Sequence, residues 1–239
     1  MEHNPLSTVI IGGAGGIGQA LARRLCADGS RILIIGRDPA RTAAVAQSLA
    51  VDHAVADARD STALKAAVAA WGEPGAVVNL AGSILLKPAH LTRDEDWQET
   101  LAQNLTTAFY ALRIAAASPG CMRCVLMGSA AGRIGLPNHE AIAAAKAGVE
   151  GLVRSAAATY APRMTVNAVA PGLVDTPLAA RITANPAARA ASEKKHALGR
   201  LGHPEEIAGA IAWLLGPDAG WMTGETLAID GGLSRVRST

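Results

Sequence analysis

Val9-Ile10-Ile11-Gly12-Gly13-Ala14-Gly15-Gly16-Ile17-Gly18 is the stretch that decides the fold. Its apolar start reads as a strand buried on both faces. Past the glycines, Ile17, Leu21 and Leu25 recur at helical spacing, with Arg23 and Arg24 on the other side. The stretch is therefore strand, tight turn, helix. Gly12 permits the sharp turn, Gly16 lets backbone approach a pyrophosphate, and Gly18 lets the helix pack close to the strand. A diphosphate would rest on free N–H groups at the positive end of the helix dipole. Twenty-five glycines in 239 residues will produce such patterns by chance. The strand before this one and the helix after it make it a dinucleotide site.

Outward from that turn, strand-like and helix-like stretches alternate. Strands are expected at Arg31–Ile35, His53–Ala56, Ala76–Asn79, Cys124–Met127, Met164–Val169 and Thr226–Ile229. Helices are expected at Ala40–Leu49, Ser61–Trp71 with Ser61 as cap, Asp94–Ala117, Asn138–Tyr160 and Glu205–Leu215. Such alternation implies one doubly wound α/β domain over residues 1–239, with a seven-stranded parallel sheet. A helical excursion at about 177–200 reads as a lid over a substrate.

Half of the residues are hydrophobic and the net charge is +2 with both signs scattered, so nothing points to nucleic acid. No apolar run approaches the ~20 residues of a membrane span. Met1-Glu2-His3-Asn4-Pro5 has no signal-peptide pattern, and a cytoplasmic protein is the expectation. Cys121-Met122-Arg123-Cys124 has C-x-x-C spacing. It lacks a second ligand pair for a metal, and no helix start follows its first cysteine, so no metal site is expected.

Taken together, the motifs resemble those of the short-chain dehydrogenase/reductase family over about Thr8 to Leu233. They are Gly12-x-x-x-Gly16-Ile17-Gly18, Asp57-Ala58, Asn79-Leu80-Ala81-Gly82, Asn104, Gly128-Ser129-Ala130-Ala131-Gly132 and Asn167-Ala168-Val169-Ala170-Pro171-Gly172. Arg200-x-Gly202-x-Pro204-Glu205-Glu206 and Thr223-Gly224…Asp230-Gly231-Gly232 complete the set. The resemblance implies a Rossmann-type oxidoreductase acting on a small molecule. It also implies cofactor contacts from Gly12, Gly15, Gly16, Ile17, Gly18, Asp57, Ala58, Asn79, Ala81, Gly82, Lys146, Pro171, Gly172, Val174 and Thr176. Catalytic roles fall on Asn104, Ser129 and Lys146. Plainer readings exist for several: a buried asparagine bridging backbone at Asn79 or Asn104, a turn cap at Asp57. By the same resemblance the chain is expected to form a homotetramer or homodimer through alanine-rich helix faces.

One element of the pattern is broken. The family's chemistry rests on Tyr-x-x-x-Lys, and four residues before Lys146 stands Ile142. Tyr110 and Tyr160, the chain's two tyrosines, are placed too far along their helices to replace it. Three explanations stay open. His139, seven residues before Lys146 and two turns up on the same helical face, is a titratable substitute. A conjugated C=C or protonated C=N substrate would need no tyrosine proton. Alternatively the protein binds cofactor and is catalytically silent.

The second strand ends in Gly36-Arg37-Asp38, where an NAD site usually carries an acid for the ribose 2′-hydroxyl. Arg37 can fork onto a 2′-phosphate. NADP is therefore the expected cofactor, with NAD as the alternative. Ser83, Ile84, Arg133, Ile134 and Leu173 are expected as pocket walls, with the excursion from Leu178 to Leu198.

Overall fold

The computed structural model describes residues 5–236; the readings made of Met1–Asn4 and of the outermost C-terminal residues lie outside them. Seven strands form one parallel sheet: β1 (Thr8–Ile11), β2 (Ile32–Gly36), β3 (Asp52–Val55), β4 (Ala76–Asn79), β5 (Arg123–Met127), β6 (Thr165–Pro171) and β7 (Thr226–Ile229). Their order is β3-β2-β1-β4-β5-β6-β7, so the winding reverses between β1 and β4. Helices α1 (Gly16–Ala27), α2 (Pro39–Leu49), α3 (Ser61–Trp71), α4 (Asp94–Leu101), α5 (Thr107–Ala117), α6 (Glu140–Tyr160) and α9 (Pro204–Leu215) cover the faces. The excursion holds two short helices, α7 (Ala180–Thr183) and α8 (Pro186–Glu193).

The continuous apolar strands bury both faces. Val9 and Ile11 of β1 point to the layer of α3, α5 and α6, where Leu64, Val68, Leu112 and Val153 pack. Ile10 points the other way, to Leu21 of α1, Val45 of α2 and Ile211 of α9. Alanine at 108, 111, 115, 156 and 157 lets α5 and α6 lie close on the sheet. No helix among the described residues is long and apolar enough to cross a membrane.

Four local expectations need correction. α3 is capped by Asp60, whose carboxylate accepts from the N–H groups of Thr62 and Ala63; Ser61 is its first helical residue. Both side chains suit a cap, and the extended backbone at Asp60 decides. The stretch Asp94–Ala117 is split by a wide π-helical turn at Ala102–Thr106. α6 begins at Glu140, leaving Asn138 in a left-handed conformation (φ 64°) and His139 outside the helix. Arg133 turns from the expected pocket wall: its guanidinium binds Glu150 of α6 (2.7 Å) and the Thr226 carbonyl (3.0 Å).

Candidate active site

At the switch point between β1 and β4 lies a cleft of about 620 Å³, walled by Gly12, Gly15, Gly16, Arg37, Asp57, Ala58, Ala81, Gly82 and Ser83 among others. Its floor is bare backbone by necessity. A Cβ at Gly12 (φ 81°) would stand 2.7 Å from the Ala81 nitrogen, and one at Gly18 would stand 2.6 Å from Gly13 Cα. α1 starts behind Gly15 with no side-chain cap and no acid in its first turn, so its leading N–H groups await an anion. A dinucleotide diphosphate fits that cradle. Ile17 packs on the core beneath α1, and Gly18 brings α1 against Gly13.

At the far end of β2, a Cβ at Gly36 would collide with Thr42 Oγ1, which donates to the Asp38 carbonyl (2.6 Å). A side chain at this position would have to displace the Thr42 hydroxyl, and no acid stands in the usual ribose-binding place. Asp38 is spent as the cap of α2, accepting from the Arg41 N–H (3.0 Å). Arg37 and Arg41 both border the cleft, and neither makes an ion pair among the described residues. Asp57 is gripped by Arg59 at 2.6 Å, and Arg59 also reaches Glu99 at 2.6 Å. The Arg59 hydrogen bonds, partly opposed by burial, hold the Asp57 carboxyl down at about 2. Sequence reasoning missed Arg41, although it follows Arg37 by four residues, in the first turn of α2. It also missed Arg59, which stands two residues past Asp57.

Two of the catalytic candidates, Asn104 and Lys146, meet at Gly82. A Cβ there would lie 2.9 Å from Asn104 Oδ1 and 3.6 Å from Lys146 Nζ. Asn104, in the π-helical turn, accepts from the Ser83 N–H (3.2 Å) and donates to Ser83 Oγ (3.1 Å) and the Thr100 carbonyl (3.0 Å). Wide turns of this kind recur at functional sites. Lys146 donates to the Met127 carbonyl at 2.9 Å, which ties α6 to the end of β5, two residues before Ser129. Burial pushes its ammonium down to about 8. Ser129 Oγ accepts from the Ala131 N–H (3.2 Å), leaving its own proton to donate.

Asn79 is buried at the end of β4, outside the cleft walls, with its amide toward Thr107. Ile142 is 5 % exposed, one turn before Lys146, so a buried apolar side chain fills the position given to tyrosine. Neither tyrosine reaches it. Tyr110 lies under the Arg113 guanidinium, and Tyr160 closes α6 about 21 Å along the axis from Lys146. His139, read as a face-mate of Lys146, has non-helical backbone (φ −108°, ψ 12°), so the helical-face argument does not extend to it. Its Nδ1 donates to the Pro137 carbonyl (2.7 Å), which leaves Nε2 as the free nitrogen.

Pro171, the last residue of β6, is buried, and beyond it Gly172 and Val174 wall a second cavity of about 250 Å³ with His196. His196, missed in the sequence, accepts from the Leu173 N–H (3.1 Å) and donates to the Ser192 carbonyl (2.8 Å), which fixes the end of the excursion. Thr176 packs on the cradle itself: its Cγ2 would be 2.9 Å from a Cβ at Gly16.

Fold and cradle are those of a dinucleotide-binding protein, and comparison with known proteins makes the class specific. The sequence model described as enoyl-(acyl carrier protein) reductase matches residues 12–234. The 3β-hydroxysteroid dehydrogenase 1 of Eggerthella lenta is 34% identical over 95% of this chain and 93% of its own. Cis-4-hydroxycyclohexanecarboxylate dehydrogenase of Sinomonas cyclohexanicum is 38% identical over 95% and 96%. A variant of actinorhodin polyketide ketoreductase, solved with NADPH, superposes with a TM-score of 0.91 at 28% identity, covering 96% of this chain and 98% of that one. The chain belongs to the short-chain dehydrogenase/reductase family, whose members are NAD(P)-dependent oxidoreductases.

Proposed function

We propose that this protein transfers hydride between NADP(H) and a small-molecule substrate without a tyrosine proton donor. The observation that carries the reading is the cluster at Gly82, where Asn104 and Lys146 stand beside the phosphate cradle. A buried ammonium costs the fold stability. Its retention argues for a bound partner, and a nucleotide ribose beside the cradle is one. The cofactor, when bound, supplies the hydride. Gly12, Gly15 and Gly16 would hold its diphosphate, Arg37 and Arg41 its 2′-phosphate, and Asp57 and Ala58 its adenine. Lys146 would hold the ribose hydroxyls, while Ser129 donates a hydrogen bond to the substrate heteroatom.

With Ile142 in the donor position, the substrates favoured are a protonated C=N, which hydride alone converts to the neutral amine, or a conjugated C=C, whose enolate would take its proton at carbon from water. The names of the two relatives above suggest a ring-bearing substrate. His139 Nε2 is the alternative proton source. Self-association belongs to the same reading: α5 leaves Phe109 45 % exposed, and light scattering giving a clean monomer would refute it.

The test follows oxidation of NADPH and NADH against cyclic ketones, enones and imines. Turnover on enones or imines with NADPH supports the reading. Tight cofactor binding with no turnover on any member would replace it with the silent one.

A further inference from the structure

We infer that Arg59 withdraws the Asp57 carboxylate from the base of the cofactor, so that the site does not select adenine by its exocyclic amine. The inference rests on the nucleotide-binding reading above and concerns the wall of the cleft where Asp57, Ala58 and Arg59 stand together. An ionised carboxylate offers about four lone-pair sites. Arg59 fills them from both its backbone and its side chain. Its N–H and Nε donate to Asp57 Oδ1 at 2.9 and 3.1 Å, while Nε and Nη2 donate to Oδ2 at 3.1 and 2.6 Å. These bonds hold the Asp57 carboxyl down at about 2, so at neutral pH it presents acceptors alone, and all of them are taken.

The guanidinium is anchored from its other side. Its Nη1 donates to Glu99 Oε1 of α4 at 2.6 Å, and Glu99 also accepts from Gln103 in the π-helical turn. The turn that carries Asp57 is fixed as well, since the Asp60 N–H donates to the Asp57 carbonyl (2.9 Å) and the Asp60 side chain caps α3. Asp57 and Arg59 keep 35% and 39% of their side chains exposed, so the pair adds little to stability. Its consequence is occupancy. A base amine reaching Asp57 brings one N–H and no charge, whereas the fork it must displace carries a full charge. What remains for the base is the Ala58 N–H, which has no partner among the described residues, and the Arg59 guanidinium at the cleft wall. A ring nitrogen can accept from the first and a π-face can stack on the second. Every purine has both, with or without the amine.

The test titrates, by calorimetry, NADPH and its analogue with purine in place of adenine, which keeps the ring nitrogens and lacks the amine. Wild type should bind the two within about threefold of each other, whereas a carboxylate that read the amine would separate them by about tenfold or more. Arg59→Met frees Asp57 and should open a gap of about tenfold in favour of NADPH. Adding Asp57→Ala to that variant should close the gap again, with thermal melting as the control for folding. NADH and its purine analogue should give the same ratios, because the base is common to both cofactors and the 2′-phosphate facing Arg37 is not. A wild-type gap of about tenfold, no gap in Arg59→Met, or a gap that persists without Asp57 would each overturn the inference while leaving the nucleotide site standing. The wild-type comparison depends on no variant. Wild type that binds neither NADPH nor NADH would overturn the nucleotide reading, and this inference with it.

Discussion

Replacing Ile142 by tyrosine tests whether the surviving catalytic groups still form a working site. Ile142 lies on α6 one turn before Lys146 and is 5 % exposed, so the larger ring must displace neighbours in a packed region. Overpacking of that kind costs about 1–3 kcal/mol. In a domain of this size that lowers Tm by about 2–4 °C per kcal/mol. Against this cost, the buried Lys146 one turn away would favour the ionised phenol and draw its pKa down. Ser129 meanwhile keeps a free hydroxyl proton at the end of β5. A placed general acid contributes about 10²–10⁴ in rate, so reduction of simple ketones or aldehydes by NADPH should rise by up to that factor. The assay follows NADPH oxidation on a ketone and aldehyde panel, with thermal melting and cofactor titration as controls. A variant that melts cooperatively and binds cofactor, yet gains nothing on any carbonyl, would refute the reasoning. The positions of Ser129 and Lys146 would then not be catalytic geometry.

Arg37→Ala should weaken NADPH far more than NADH, because only NADPH loses a charge-assisted partner at its 2′-phosphate; equal losses in titration would count against NADP as the preferred cofactor. Lys146 gives a pH signature. With its folded pKa lowered to about 8 by burial, the unfolded chain binds the extra proton between pH 8 and the usual lysine value near ~10.4, so stability rises with pH across that window. The penalty below the window is about 3 kcal/mol. In denaturant melts, Lys146→Met should therefore gain on wild type at neutral pH and lose that advantage by pH ~10; a gap constant with pH would refute the shift. His139→Ala should abolish turnover if its free Nε2 is the proton source, and leave rates unchanged if the substrate is a C=C or C=N bond.

The elements were legible in the sequence because their signals are local. A strand buried on both faces must be a continuous apolar run, and Ala76–Asn79, buried throughout, stands where the pattern puts it, as does the half-buried edge strand Thr226–Ile229. The glycine turn was legible for the same reason, since each close approach at Gly12 and Gly18 excludes every larger residue. The remaining motifs and the missing tyrosine were legible through the resemblance to the family, matched position by position. What the tertiary structure decided is partnership between distant elements. The π-helical turn at Ala102–Thr106 has ordinary helix-forming residues; the contact of Asn104 with Ser83, 21 positions away, marks it. Arg133 read as a pocket wall because nothing local ties it to Glu150 or to the β7 carbonyl that hold it. His139 missed α6 by one residue, a margin set by backbone geometry rather than composition. Arg41, Arg59 and Arg181 are unremarkable arginines in the chain. They gather at one cleft because right-handed crossovers bring the ends of β1, β2 and β4 and the lid to the same edge of the sheet.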